Sequence, residues 1–132
     1  MIAVDLSKII IDEQKQEQII VLKEKGGSKI LPIVIGLNEA LAVRMYLNGF
    51  VPPRPLTHDL MKCLIDSLEV SLEKVVINKL VDYTFHAELF LKTKEGLKII
   101  DARPSDSIAL AVRTNSPVFV REEVFMKLGQ GL

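Results

Sequence analysis

The sequence predicts an α+β fold: a mainly antiparallel, mixed sheet packed with about four helices, in one domain over residues 1–132. Three observations lead there. β-branched segments come first, two helical stretches follow, strands return, and two more helices close the chain. Phe85, Ala87, Leu89 and Leu91 alternate with His86, Glu88, Phe90 and Lys92, the period of a strand covered on one face. The Pro-led stretches "RPLTHDL" and "DARPSDSIALAVR" read as helix starts, because proline at a first helical position lacks only an amide hydrogen that would have no partner anyway.

Taken in order, Ile2–Leu6, Ile9–Asp12, Gln18–Lys23 and Ile30–Ile35 read as strands, the last two joined by a turn at Gly26-Gly27. Asn38 is expected to cap a helix reaching Asn48, with Gly49 in the left-handed position that ends it. "FVPPRP" is a stiff connector, since three prolines fix φ and remove donors. From Thr57 a second helix runs to Leu68; Leu60, Leu64, Leu68, Met61 and Ile65 form its expected inner stripe, and His58, Asp59, Lys62 and Asp66 its outer face. Val75–Leu80 and Thr84–Lys94 form a hairpin around "VDYT", and a "KEG" turn leads to Leu97–Asp101. Pro104–Asn115 is helix, Val118–Val120 a short strand, and Glu122–Leu128 the final helix.

Composition narrows the function. With 48% hydrophobic and 26% charged residues the chain is an ordinary globular domain. No run of eighteen apolar residues suits a membrane span, and the N-terminus lacks the basic start of a signal peptide, so a cytoplasmic location without membrane contact is expected. One cysteine, Cys63, excludes an intrachain disulfide and a thiolate zinc cluster, and its place on the second helix predicts a buried, inert thiol. Seventeen basic residues balance seventeen acidic ones. Tight coating of nucleic acid, which needs a basic excess, is disfavoured; weak or transient contact through a local patch is not. Aromatic content of 5% gives little for base stacking. P-loop, dinucleotide, HExxH, GxSxG and CxxC patterns are all missing.

The two RP blocks hold the candidate chemistry. Pro55, Thr57, Asp59, Pro104, Ser105 and Asp106 are accounted for as helix-start residues. Arg54 and Arg103 are not, because a cation at a helix N-terminus faces the positive end of the dipole. Each arginine needs a carboxylate or an incoming anion, and a helix N-terminus with an arginine fork suits phosphate. Asp101 and Asp106 could share Mg²⁺ or Mn²⁺ through oxygen ligands. His58 has the side chain to move a proton near neutral pH. His86 is expected to be exposed, Glu39 to serve the helix dipole, with metal ligation as its alternative, and Arg113 to favour the C-terminal end of its helix. The same Asp and Arg residues would equally tie two helix starts together, so both readings stand on these residues.

"LPIVIGLNEALAV", "RPLTHDLM", "VVINKLVDYTFHAELFL" and "DARPSDSIALAVR" occur in this order and resemble the bifunctional nuclease domain family, over about residues 30–124. The resemblance implies a compact α+β domain, degradation of DNA and RNA by some members, and in some a following UVR-type helical motif that this sequence is expected to lack. It places Arg54, Thr57, His58 and Asp59 in one family block and Asp101, Arg103, Ser105 and Asp106 in the other. The resulting expectation is a nuclease without strong sequence preference. His58, Asp59, Asp101 and Asp106 would be catalytic; Arg54, Arg103, Thr57 and Ser105 would bind substrate; Asp101 and Asp106 would hold a divalent cation, with no organic cofactor. The alternative is a non-catalytic, dimeric interaction or ligand-binding module in which the RP blocks are structural. Phe90, apolar on the polar side of its strand, points to a homodimer.

Overall fold

Seven strands form a single mixed sheet in the order β3-β2-β1-β7-β4-β5-β6. The computed structural model describes residues 1–129. Its elements are β1 (Ile2–Ile10), β2 (Glu17–Glu24), β3 (Ile30–Gly36), α1 (Leu37–Leu47), α2 (Thr57–Ser67), β4 (Ser71–Val81), β5 (Thr84–Thr93), β6 (Gly96–Ala102), α3 (Pro104–Thr114), β7 (Val118–Val120) and α4 (Glu122–Gly129). Every pairing is antiparallel except β4 with β7. The α+β class, the mixed sheet and the four helices are as the sequence predicts.

The first meander follows from β-branched residues in two-residue alternation. In β3 Leu31, Ile33 and Ile35 are buried while Pro32 and Val34 are exposed. The two expected N-terminal strands are one, β1, with a register shift between Leu6 and Lys8 that leaves Ser7 as a bulge. The hairpin β4–β5 turns on Asp82 and Tyr83, whose φ values of 50° and 63° are both left-handed. Such a turn matches the twist of its strands.

α3 is the central helix. Ile108, Ala109, Leu110 and Ala111 are buried, and the small alanines let α1, α2 and the sheet close around it. Ile108 and Ala109 join Ala40 and Val43 of α1 and Ile20, Leu22, Leu31, Ile77, Val120 and Val124 in the main core. Leu110 and Ala111 join Leu72, Val75 and Leu89 in a second cluster that receives Met61 and Ile65 of α2.

Several expectations are corrected by this packing. Asn38 is not a cap: β3 runs straight into α1, Gly36 holds the extended N-cap position, and no side chain bonds there. Gly49, with φ 77°, does end α1, its N–H donating to the Tyr46 carbonyl at 3.0 Å. α2 is turned about its axis, so that Met61 and Ile65 face the core while Leu60, Leu64 and Leu68 face out. Cys63 is exposed with them, whereas His58, expected outside, is 7% exposed. Phe90 is buried, with the Lys74 ammonium 4.7 Å from its ring centroid, so it gives no ground for self-association. His86 is half-buried opposite Lys79.

Candidate functional site at the α2–α3 joint

Two dipeptide neighbours on α2 reach different ends of α3. His58 Nε2 lies 3.0 Å from Asp106 Oδ1, in the first turn of α3. Asp59 Oδ1 accepts from Arg113 Nε at 2.7 Å, two turns further along. Asp106 and Arg113 are seven residues apart and therefore share a helix face, and successive residues of α2 meet one each.

Asp106 is the hub. Its Oδ2 accepts from Arg103 Nε at 3.0 Å, and the charged Nη2 of the same arginine lies 2.9 Å from that oxygen. Arg103 also comes within 3.9 Å of Glu39 on α1, yet its side chain is 66% exposed. A guanidinium so placed is oriented by carboxylates and still open to an anion. The helix beneath it contributes the positive end of its dipole. Ser107 Oγ donates to the Arg103 carbonyl at 2.8 Å and fixes the chain at that point.

Beside this hub runs a groove of about 520 Å³, lined by Gly36, Tyr83, Phe85, Arg103, Pro104 and Ser105 among others. Tyr83 stands at the β4–β5 turn, 77% exposed. Ser105 is buried in the groove wall. Neither Thr57 nor Ser105 caps its helix; α2 is closed instead by Asp59 Oδ2, which accepts the Leu56 N–H at 3.1 Å.

The sequence predicts only that Arg113 favours the end of α3. It is in fact buried, its Nη1 donating to the Ala109 carbonyl at 2.8 Å and Nη2 to the Ala42 carbonyl at 3.0 Å. With Tyr46 below its guanidinium at 5.2 Å, it binds α1, α2 and α3 into one unit. The sequence assigns Arg113 the helix dipole alone, and Glu39 the dipole with metal ligation as its alternative; neither role predicts the contacts these residues make. The seven-residue spacing from Asp106 within an apolar helix was the available signal for Arg113.

Among the described residues no side-chain hydrogen bond or ion pair joins the remaining candidates to the hub. Arg54 and Thr57 are exposed at the end of the connector and the start of α2. Asp101 is exposed on β6, opposite Glu88. Among the described residues no group of three or more His, Cys, Asp or Glu side chains converges as a metal set. Both oxygens of Asp106 are engaged, one by His58 and one by Arg103. The side chains present do not make a cage for Mg²⁺ or Mn²⁺.

Burial pushes the carboxyls of Asp59 and Asp106 up, but their partners outweigh it. The Arg113 hydrogen bond, the Leu56 N–H and the charges of Arg113 and His58 hold Asp59 below the usual aspartate range. Hydrogen bonds from His58 and Arg103, with the Arg103 charge, do the same for Asp106. A carboxyl with a lowered folded pKa contributes stability that is complete above its unfolded value and lost as pH falls through the folded one. The window therefore opens below the ordinary aspartate value of 3.8. In acid titrations followed by circular dichroism, Asp59→Asn is expected to be less stable than wild type at neutral pH. It should also lose less further stability below that value. An unchanged acid slope would remove Asp59 from the linkage.

The model of the bifunctional nuclease domain matches residues 20–131. An uncharacterized protein of Mycobacterium tuberculosis is 40% identical over 121 residues, covering 92% of this chain and 72% of the relative. Bifunctional nuclease 2 of Oryza sativa subsp. japonica is 32% identical over 119 residues, 86% of this chain and 36% of the plant protein. Bifunctional nuclease 1 of Arabidopsis thaliana is 30% identical over 107 residues, 78% and 33% respectively. The chain thus spans about a third of those plant relatives. No helix among the described residues is long and apolar enough to cross a membrane. The match covers both RP blocks and the hub they build, and the chain belongs to the bifunctional nuclease domain family.

Proposed function

We propose that this chain hydrolyses phosphodiester bonds in DNA and RNA, without strong sequence preference, at the Asp106 hub beside the groove. The observation that carries the reading is a single carboxylate joining His58 to an arginine whose side chain is 66% exposed. Arg103 and the first N–H groups of α3 hold the phosphate. Asp106 accepts from His58 Nε2, which fixes the ring and leaves Nδ1 as the proton acceptor. His58 takes a proton from the attacking water, whose oxygen forms a new bond to phosphorus as the P–O bond to the leaving nucleotide breaks, and that proton passes to the leaving oxygen. Asp59 is committed to Arg113 and has no chemical step in this scheme; its role is to set the pitch of α2. Zero net charge suits brief contact with the polymer rather than tight coating.

The test is release of acid-soluble nucleotide from DNA and RNA by the purified chain, with Mg²⁺, with Mn²⁺ and with chelator. His58→Ala should lower kcat and Arg103→Ala should mainly raise KM, both in folded protein. Equal turnover by wild type and both variants would leave the hub a purely structural joint, the non-catalytic alternative. The chelator arm decides whether a cation arrives with the substrate.

A further inference from the structure

The sheet has two edges, β3 and β6, and they are not alike. β3 carries Pro32 at its centre and borders the groove with Phe85 and Arg103. Proline on an edge removes a donor and discourages a further strand. β6 has no such guard. It runs from Gly96 to Ala102 in unbroken register with β5, without proline or bulge. Leu97, Ile99 and Ile100 are 53%, 51% and 46% exposed along it. A flat apolar edge of this kind is a template for pairing.

The register says which backbone groups are free. Thr93 and Gly96 are partners across the two-residue turn Lys94-Glu95, so they exchange hydrogen bonds. Alternation along an antiparallel ladder gives the next such pairs to Leu91 with Lys98 and Leu89 with Ile100. The N–H and C=O of Leu97, Ile99 and Asp101 therefore point out of the sheet.

We propose that a second copy of this chain pairs with β6 in antiparallel fashion, about a two-fold axis through Ile99, the midpoint of the strand. This register matches the outward groups: Ile99 exchanges bonds with the partner's Ile99, and Leu97 and Asp101 with the partner's Asp101 and Leu97. It uses the full strand, and it complements charge. Across β5 and β6 on one face stand Lys92 with Leu97, Phe90 with Ile99, and Glu88 with Asp101. The two-fold sets the exposed Ile99 against the partner's Ile99 at the centre of the seam. Each flanking row then ends with Lys92 on one side and with the acids Asp101 and Glu88 of the partner subunit on the other. A shift by one residue toward Lys98 would set two lysines face to face, and a shift by two toward Asp101 would set two aspartates so, each unfavourable. This inference is independent of the nuclease reading.

Light scattering on the purified full chain should give twice the monomer mass. Ile99→Pro removes an outward N–H and no bond to β5, so it should yield a monomer with unchanged circular dichroism and a melting point independent of concentration; Ile99→Lys is the second variant should proline disturb the strand. In a Cys63→Ser background, Ile99→Cys should form an intermolecular disulfide and Val34→Cys, on the other edge, should not. Three results would overturn the proposal. One is a monomeric wild type. The others are a dimer surviving either Ile99 variant in folded protein, and cross-linking at position 34 in place of 99.

Discussion

Arg113→Ala is expected to cost about 3 kcal/mol of folding stability, the largest loss expected from any charged residue of the chain. The arginine holds a carboxylate on α2, a carbonyl on α1 and a carbonyl of its own helix. Removing it leaves Asp59 as an unpaired carboxylate in a partly buried place and empties the space under Tyr46. The two carbonyls lose less, since each sits within a helix whose backbone bonds remain. Asp59 keeps some access to solvent, its side chain being 23% exposed, which places the loss at the lower end of the range for broken buried pairs. For a domain of this size the melting midpoint should fall by roughly 10 °C. Arg113→Lys should recover only part, because an ammonium on a flexible stem cannot span three acceptors with fixed geometry. The double change Arg113→Met with Asp59→Leu should be far milder than Arg113→Ala, since an apolar pair of similar volume leaves no charge uncompensated. A loss under about 1 kcal/mol for Arg113→Ala, within the range of exposed pairs, would contradict the reading of this residue as the bond between the helices.

The second large effect concerns turnover. Asp106→Asn keeps the size of the side chain and one oxygen acceptor but removes the charge that orients Arg103 and supports His58. If the hub is catalytic, kcat should fall about 10²- to 10⁴-fold, the usual share of a positioned acid–base group. His58→Ala should fall by a similar factor, and the double variant little further, because two members of one unit are not additive. Stability should fall less than for Arg113→Ala: the Arg103 bonds are largely exposed, such pairs contribute about 1 kcal/mol or less, and Asn keeps one oxygen that can accept from His58 Nε2. That separation of effects distinguishes the hub from the Arg113 joint, where stability is lost directly. An Asp106→Asn protein with full activity would end the catalytic assignment, whatever its melting point.

Much of this was legible in the sequence, and the failures have a common physical cause. Strand period and proline-led starts located nearly every element, because those signals act over neighbouring residues. The orientation of α2 was not legible. Its Leu60-Leu64-Leu68 and Met61-Ile65 stripes lie side by side, and periodicity alone cannot choose which turns inward. The choice is made by His58 meeting Asp106 and Asp59 meeting Arg113, contacts 48 and 54 residues apart in the chain. Cys63 followed the wrong stripe for the same reason. The burial of Phe90 is not legible in its own strand, because the Lys74 ammonium over its ring belongs to another. In the candidate site, Arg103, His58 and Asp106 were found from residue type and position. The pairing of Asp59 with Arg113 rather than Arg54 needed the fold.

The position of β7 has a consequence for how the chain is made. The seventh strand in sequence is the fourth in space, wedged between β1 and β4. Until Val118–Val120 emerge from the ribosome, β1–β3 and β4–β6 are separate meanders, each with one flank that only β7 can join. Synthesis therefore finishes most of the polypeptide before its two halves can be stitched together. Refolding from denaturant should be correspondingly slow for so small a molecule, as long-range closure demands.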